Sequence, residues 1–156
     1  MYKRILLPTD GSALSMQAVQ SGISFAKACG AEVIGIHVVA LARSEQLDAW
    51  MAHAPHLAEK RQALFDKLAE DYLGALTAQA TREQVPSTVL KVHAPEPWQA
   101  IAHAADDLGC DLIFMASHGW KGDRARVLGS ETVKVLQESK VPVLVHKPAP
   151  AAAGAT

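Results

Sequence analysis

Cysteine is nearly missing from the chain. Its 156 residues hold two, Cys29 and Cys110, with no Cys-x-x-Cys spacing and no metal-like cluster around either, which argues against a zinc module or a disulfide framework and fits a reducing compartment. Aromatic residues are scarce at 5%, and neither sign of charge dominates, the formal net charge being −1. A general affinity for nucleic acid or an anionic membrane is therefore not expected. No apolar run approaches the roughly twenty residues that span a bilayer. The start, Met1-Tyr2-Lys3-Arg4-Ile5, enters a strand without the apolar segment of a secretory leader. These absences together predict a cytoplasmic protein.

What the chain has is 49% apolar and 20% charged residues, the composition of an ordinary globular domain with room for one core. The pattern predicts one domain over 1–147 and a disordered Pro/Ala-rich tail over 148–156. Short apolar runs at 3–7, 33–39, 87–93, 112–116 and 141–146 read as buried strands. Between them, 15–29, 56–81, 98–108 and 130–139 carry helical spacing. Gly30 is placed to end the first helix. The 41–55 stretch is the least regular. His53-x-x-His56 at its end is weighed as a metal pair and set aside for a mobile loop covering the pocket, because no cysteine lies near. His37, inside an apolar strand, reads as a core histidine bonded to backbone. Strands alternating with helices demand parallel crossovers, hence an α/β fold: an open three-layer sheet with helices on both faces.

The most informative stretch is Met115 to Ser130, which runs from strand end through Gly119, Gly122 and a basic loop with Lys121, Arg124 and Arg126 to Gly129-Ser130 at a helix start. Glycines let backbone N–H groups approach an anion, Ser130 is suited to cap, and a helix start attracts phosphate. It is neither a Walker loop nor the dinucleotide fingerprint.

The pattern Gly119, nine residues, then Gly129-Ser130 resembles the Gly-x2-Gly-x9-Gly-Ser/Thr motif of ATP-binding universal stress proteins. The opening Ile5-Leu6-Leu7-Pro8-Thr9-Asp10-Gly11-Ser12 and the closing Val141-Pro142-Val143-Leu144-Val145 extend the likeness over most of the chain. The resemblance implies strand order 3-2-1-4-5 in a five-stranded parallel, Rossmann-like sheet, and a homodimer joined through the edge strand Val143–Val145. It also implies adenine and ribose contacts at Pro8, Thr9, Asp10, Val38 and Ala116, and phosphate contacts at Gly119, Gly129, Ser130 and the backbone of Glu131. Met115 and His118 complete the candidate site, His118 as part of the loop wall. The implied ligand is ATP, with AMP or ADP as alternatives, accompanied by Mg²⁺, in a regulatory stress-response protein whose loop orders on binding. No residue is assigned as catalytic or as a metal ligand.

Two departures keep other functions open. Ala116 stands where the motif has glycine, and Glu131 where an apolar residue is usual, which would suit an ATP-independent dimeric scaffold. A slow ATP hydrolase is the third possibility, with His118 and Asp123 as the nearest candidate bases. Trp120 is placed to cover a nucleotide or to meet a partner.

Overall fold

The central apolar runs become strands covered on both faces, so alternation is lost there, whereas the edge run 87–93 stays partly exposed. The computed structural model describes residues 1–40, 45–120 and 127–148. Its strands are β1 (Arg4–Pro8), β2 (Glu32–Val39), β3 (Ser87–His93), β4 (Leu112–Ala116) and β5 (Val143–His146). The helices are α1 (Ala13–Cys29), α2 (Glu45–Ala52), α3 (Pro55–Arg82), α4 (Pro97–Asp107) and α5 (Ser130–Glu138). All strands are parallel in the order β3-β2-β1-β4-β5. The expected fold and strand order are therefore what the chain adopts. Of the expected tail, 149–156 lies outside the described residues.

Strand alternation divides the core in two. Ile5, Leu7, Val33 and Phe114 face α1 and α3, meeting Val19, Ile23 and Leu76. Leu6, Ile34, Ile36, Ile113 and Met115 face α4 and α5, meeting Ile101, Ala105 and Val135. Along α1, Ala18, Val19, Gly22, Ile23 and Ala26 recur at helical spacing and are buried, together with Ser15. Gly30 closes that helix in the left-handed conformation with φ 67°.

Four differences from the sequence pattern are physical. Residues 45–52 form a helix, since none of Glu45–Ala52 is a glycine, proline or β-branched residue, and eight residues are too few to show a clear periodic face. His53 and His56 are exposed in the turn between α2 and α3 and at the first turn of α3, not in a long loop. Leu64 on α3 and Leu136 on α5, both on predicted apolar faces, are 57% and 41% exposed. For α3 the cause is length. At about 1.5 Å per residue its 28 residues run roughly 42 Å, whereas the eight residues of β2 cover about 26 Å. Only Ala69, Leu73, Leu76 and Ala80, in its second half, are buried. Finally, β5 begins at Val143, after Pro142, which has no N–H to give but accepts from Ile113 N–H at 2.9 Å.

Among the described residues, no helix is long and apolar enough to cross a membrane. Cys29 is half-buried. Cys110 is buried, and burial pushes its thiol up to about 11 against the opposing pull of Arg4. At pH 8 the Cys110 thiol is therefore protonated and unreactive. Iodoacetamide labelling followed by mass spectrometry should leave Cys110 unmodified in the native protein and modify it in urea; rapid native labelling would contradict this packing.

Candidate functional site

The strand order places the switch point between β1 and β4, neighbours in the sheet whose following connections run to opposite faces. A crevice opens where their carboxyl ends diverge, and an open α/β sheet binds its ligands there.

One wall is the turn after β1. Thr9 is buried, and its hydroxyl lies 2.7 Å from Ser15 Oγ and accepts from Gly11 N–H at 3.2 Å. Ser12 is the N-cap of α1, accepting from Ser15 N–H at 3.2 Å. Gly11 has φ 79°, and a Cβ there would overlap the Tyr72 ring, so the turn needs glycine on both counts. Tyr72 meets His37 edge-on at 5.4 Å, and His37 Nδ1–H donates to Thr9 O at 2.7 Å. His37 is bonded to backbone as expected, but it is half-buried and not in the core, and the backbone it holds is that of the site. Asp10 reaches across the crevice. Its Oδ1 accepts from Ser12 N–H at 2.9 Å, its Oδ2 from Trp120 N–H at 3.1 Å, and its carbonyl from the Trp120 indole at 2.6 Å.

The other wall is the end of β4 with the start of α5. Thr132 is buried, and its hydroxyl lies 3.0 Å from Ala116 O and 3.1 Å from Ser117 O. Gly129 N–H donates to Ser117 O at 2.7 Å. Two expectations are corrected here. Gly129, not Ser130, is the N-cap, with no side-chain cap, and Ser130 is the first helical residue. The Gly129 N–H is held by Ser117 and is not turned to a ligand. Nor do Gly119 and Gly129 owe their identity to positive φ. A Cβ on Gly119 would overlap Asp10 Oδ2, and one on Gly129 would come within 3.1 Å of Ser117 O and 3.3 Å of His118 Cα. Both glycines permit close approach of two chain segments. The first helical bond of α5 runs from Val133 N–H to Gly129 O at 3.1 Å. The N–H groups of Ser130, Glu131 and Thr132 therefore lie off the helix end, where an anion is favoured.

Pro8, Met115 and Ala116 are buried strand ends, and Val38 is half-buried on the α4/α5 face. Ala116 does not have positive φ, so its methyl introduces no backbone strain. The Glu131 side chain goes elsewhere. Its Oε2 accepts from Trp98 N–H at 2.9 Å, supplying the first turn of α4 with the acceptor that its own N-cap, Glu96, does not provide. His118 Nδ1 lies 3.1 Å from Ser117 Oγ, in keeping with its place in the loop wall. Lys121, Gly122, Asp123, Arg124 and Arg126 lie outside the described residues. Sequence reasoning missed Ser117 and Thr132; a threonine three residues after an N-cap glycine was the available signal. Among the described residues, no group of three or more His, Cys, Asp or Glu is arranged to hold a metal ion.

The Universal stress protein family model matches residues 1–147. The chain belongs to the universal stress protein family. Universal stress protein MJ0531 of Methanocaldococcus jannaschii is 32% identical over 154 residues, covering 94% of this chain and 83% of its own. The solved structure of MJ0577, from the same organism, superposes with a TM-score of 0.80 at 28% identity and covers 97% of this chain and 99% of its own. A universal stress protein solved in complex with cAMP matches with a TM-score of 0.65 at 23% identity, covering 94% and 97% of the two chains, a likeness of fold.

The Thr132 hydroxyl joins the family fold's strand end to its helix start. Thr132→Val keeps the shape and removes the donor, so urea unfolding should show a loss of about 1–3 kcal/mol; unchanged stability would mean the clamp is incidental.

Proposed function

We propose that the crevice binds an adenine nucleotide, ATP with Mg²⁺ in the first instance, and that the protein is a cytoplasmic, non-enzymatic regulator of a stress response whose nucleotide occupancy is the signal. The observation that carries this is the N-terminus of α5 on the wall opposite Asp10. Three N–H donors lacking helical partners stand at one wall and a carboxylate at the other, a pairing that suits a polyphosphate joined to a ribose or an amino-bearing base. The Glu131 carboxylate, turned to α4, does not oppose phosphate. It is equally not free for a cation, so Mg²⁺ would arrive on the phosphates with its own water shell. The cAMP complex of a fold relative supports an adenine nucleotide as the ligand class. Within this proposal Pro8, Val38, Met115 and Ala116 shape the base and ribose end, while Gly119, Ser130 and the Glu131 backbone meet phosphate.

Ser130 is exposed at the first helical position. Ser130→Asp adds a negative charge that favours the helix and disfavours phosphate. Calorimetry with ATP and Mg²⁺ should give micromolar binding to the wild type and at least about a tenfold loss in Ser130→Asp, the effect of one opposed charge near ~1.4 kcal/mol. No binding to folded wild type would leave the ATP-independent scaffold, which the existing Asp10–Trp120 contacts favour.

The proposal includes a homodimer through β5. Among the described residues this edge strand pairs only with β4, and Val143, Leu144 and Val145 are all half-buried in the single chain, an apolar edge that a second copy would cover. Light scattering after size exclusion should report a dimer for the wild type and a monomer for Val145→Lys; a wild-type monomer at high concentration would remove this part of the proposal.

A further inference from the structure

We propose that Trp120 is a latch on the crevice, holding Asp10 in the ligand-free protein so that a ligand must displace the indole to gain the Asp10 acceptors. This rests on the nucleotide reading above and adds to it a competition built into the chain. All three oxygens of Asp10 are taken. Ser12 N–H holds Oδ1 at 2.9 Å from within the same turn, and Trp120 holds the other two, Oδ2 through its backbone N–H at 3.1 Å and the carbonyl through its indole at 2.6 Å. The Ser12 bond belongs to the turn that starts α1 and persists with or without a ligand. The Trp120 bonds cross from the β4 side of the crevice to the β1 side, and they close over the place where a ribose hydroxyl or an amino group would seek an acceptor.

The latch is built to open. The Trp120 side chain lies at the surface, with the residue 67% exposed, so its release disturbs no core packing. Gly119 precedes it without a Cβ, which lets Asp10 Oδ2 sit where a side chain would otherwise stand. Indole has one N–H and no acceptor, so its only polar bond here is the one to Asp10 O. A ligand that takes that oxygen frees the ring, which is then available to lie on a base.

The test uses Trp120→Phe, which keeps an aromatic face and the backbone bond to Oδ2 but removes the indole bond. The indole N–H resonance of Trp120, assigned by its loss in the variant, should be protected from solvent exchange in the free protein and lose that protection when ATP and Mg²⁺ are added. Calorimetry should show the variant binding ATP roughly threefold to tenfold more tightly, the range of one net hydrogen bond no longer opposing the ligand. A merely structural role predicts weaker binding in the variant, and equal or weaker binding overturns the latch while leaving the nucleotide site standing. An unprotected indole in the free protein likewise overturns it. Failure of both proteins to bind ATP overturns the nucleotide reading and the displacement with it.

Discussion

Where β1 and β4 end, the carbonyls that follow them no longer face a neighbouring strand's N–H groups, and the buried ones must find donors elsewhere. Much of the local architecture at the crevice answers that need. The His37 imidazole serves Thr9 O, the Gly129 N–H serves Ser117 O, and the Thr132 hydroxyl is shared by Ala116 O and Ser117 O. The donors come from β2 and from the cap and first turn of α5, so satisfying the strand ends also sets how those elements lie against β1 and β4. Between the walls stands a crevice, with the first N–H groups of α5 on one side and on the other Asp10, whose oxygens Ser12 and Trp120 hold.

The two acidic residues near the crevice have different tasks because of what each can reach. Asp10 sits in a turn whose own Ser12 N–H fixes one oxygen, leaving the rest of the residue to span the gap. Glu131, the second residue of α5 and so in the first turn that favours anions, is drawn to the neighbouring helix start at Trp98, where its charge meets an N–H in need of an acceptor. A carboxylate that looks hostile to phosphate in the sequence thereby ties α4 to α5.

The central strands were legible because burial on both faces leaves unbroken apolar runs and β3 by its β-branched content, while the strand order came from the family resemblance carried by the stretches around Asp10, Gly119 and Gly129-Ser130. Gly30 ended α1 as its type suggests. The roles of individual site residues were less legible. Whether Gly129 offers its N–H to a ligand or to Ser117 depends on a contact between segments, which spacing does not encode. Thr132 looks like any helical threonine until its hydroxyl is seen beneath the end of β4. Leu64 and Leu136 follow helical periodicity and yet lie in the open, since periodicity reports a face and not whether another element covers it. Residues 45–52 were too short a segment to declare themselves.

The reach of α3 makes stability uneven along a single helix. From Ala69 onward it is bolted to the sheet by buried side chains, with Leu76 lying against Gly35. Before that point it is held by its own hydrogen bonds, by α2 and by the surface contacts of Asp66 with His93 at 2.8 Å and Lys91 at 3.4 Å on β3. The turns before Asp66 are therefore expected to open at a free energy below that of the core. One continuous helix thus joins a buried anchor to an exposed overhang whose side chains meet fewer packing constraints.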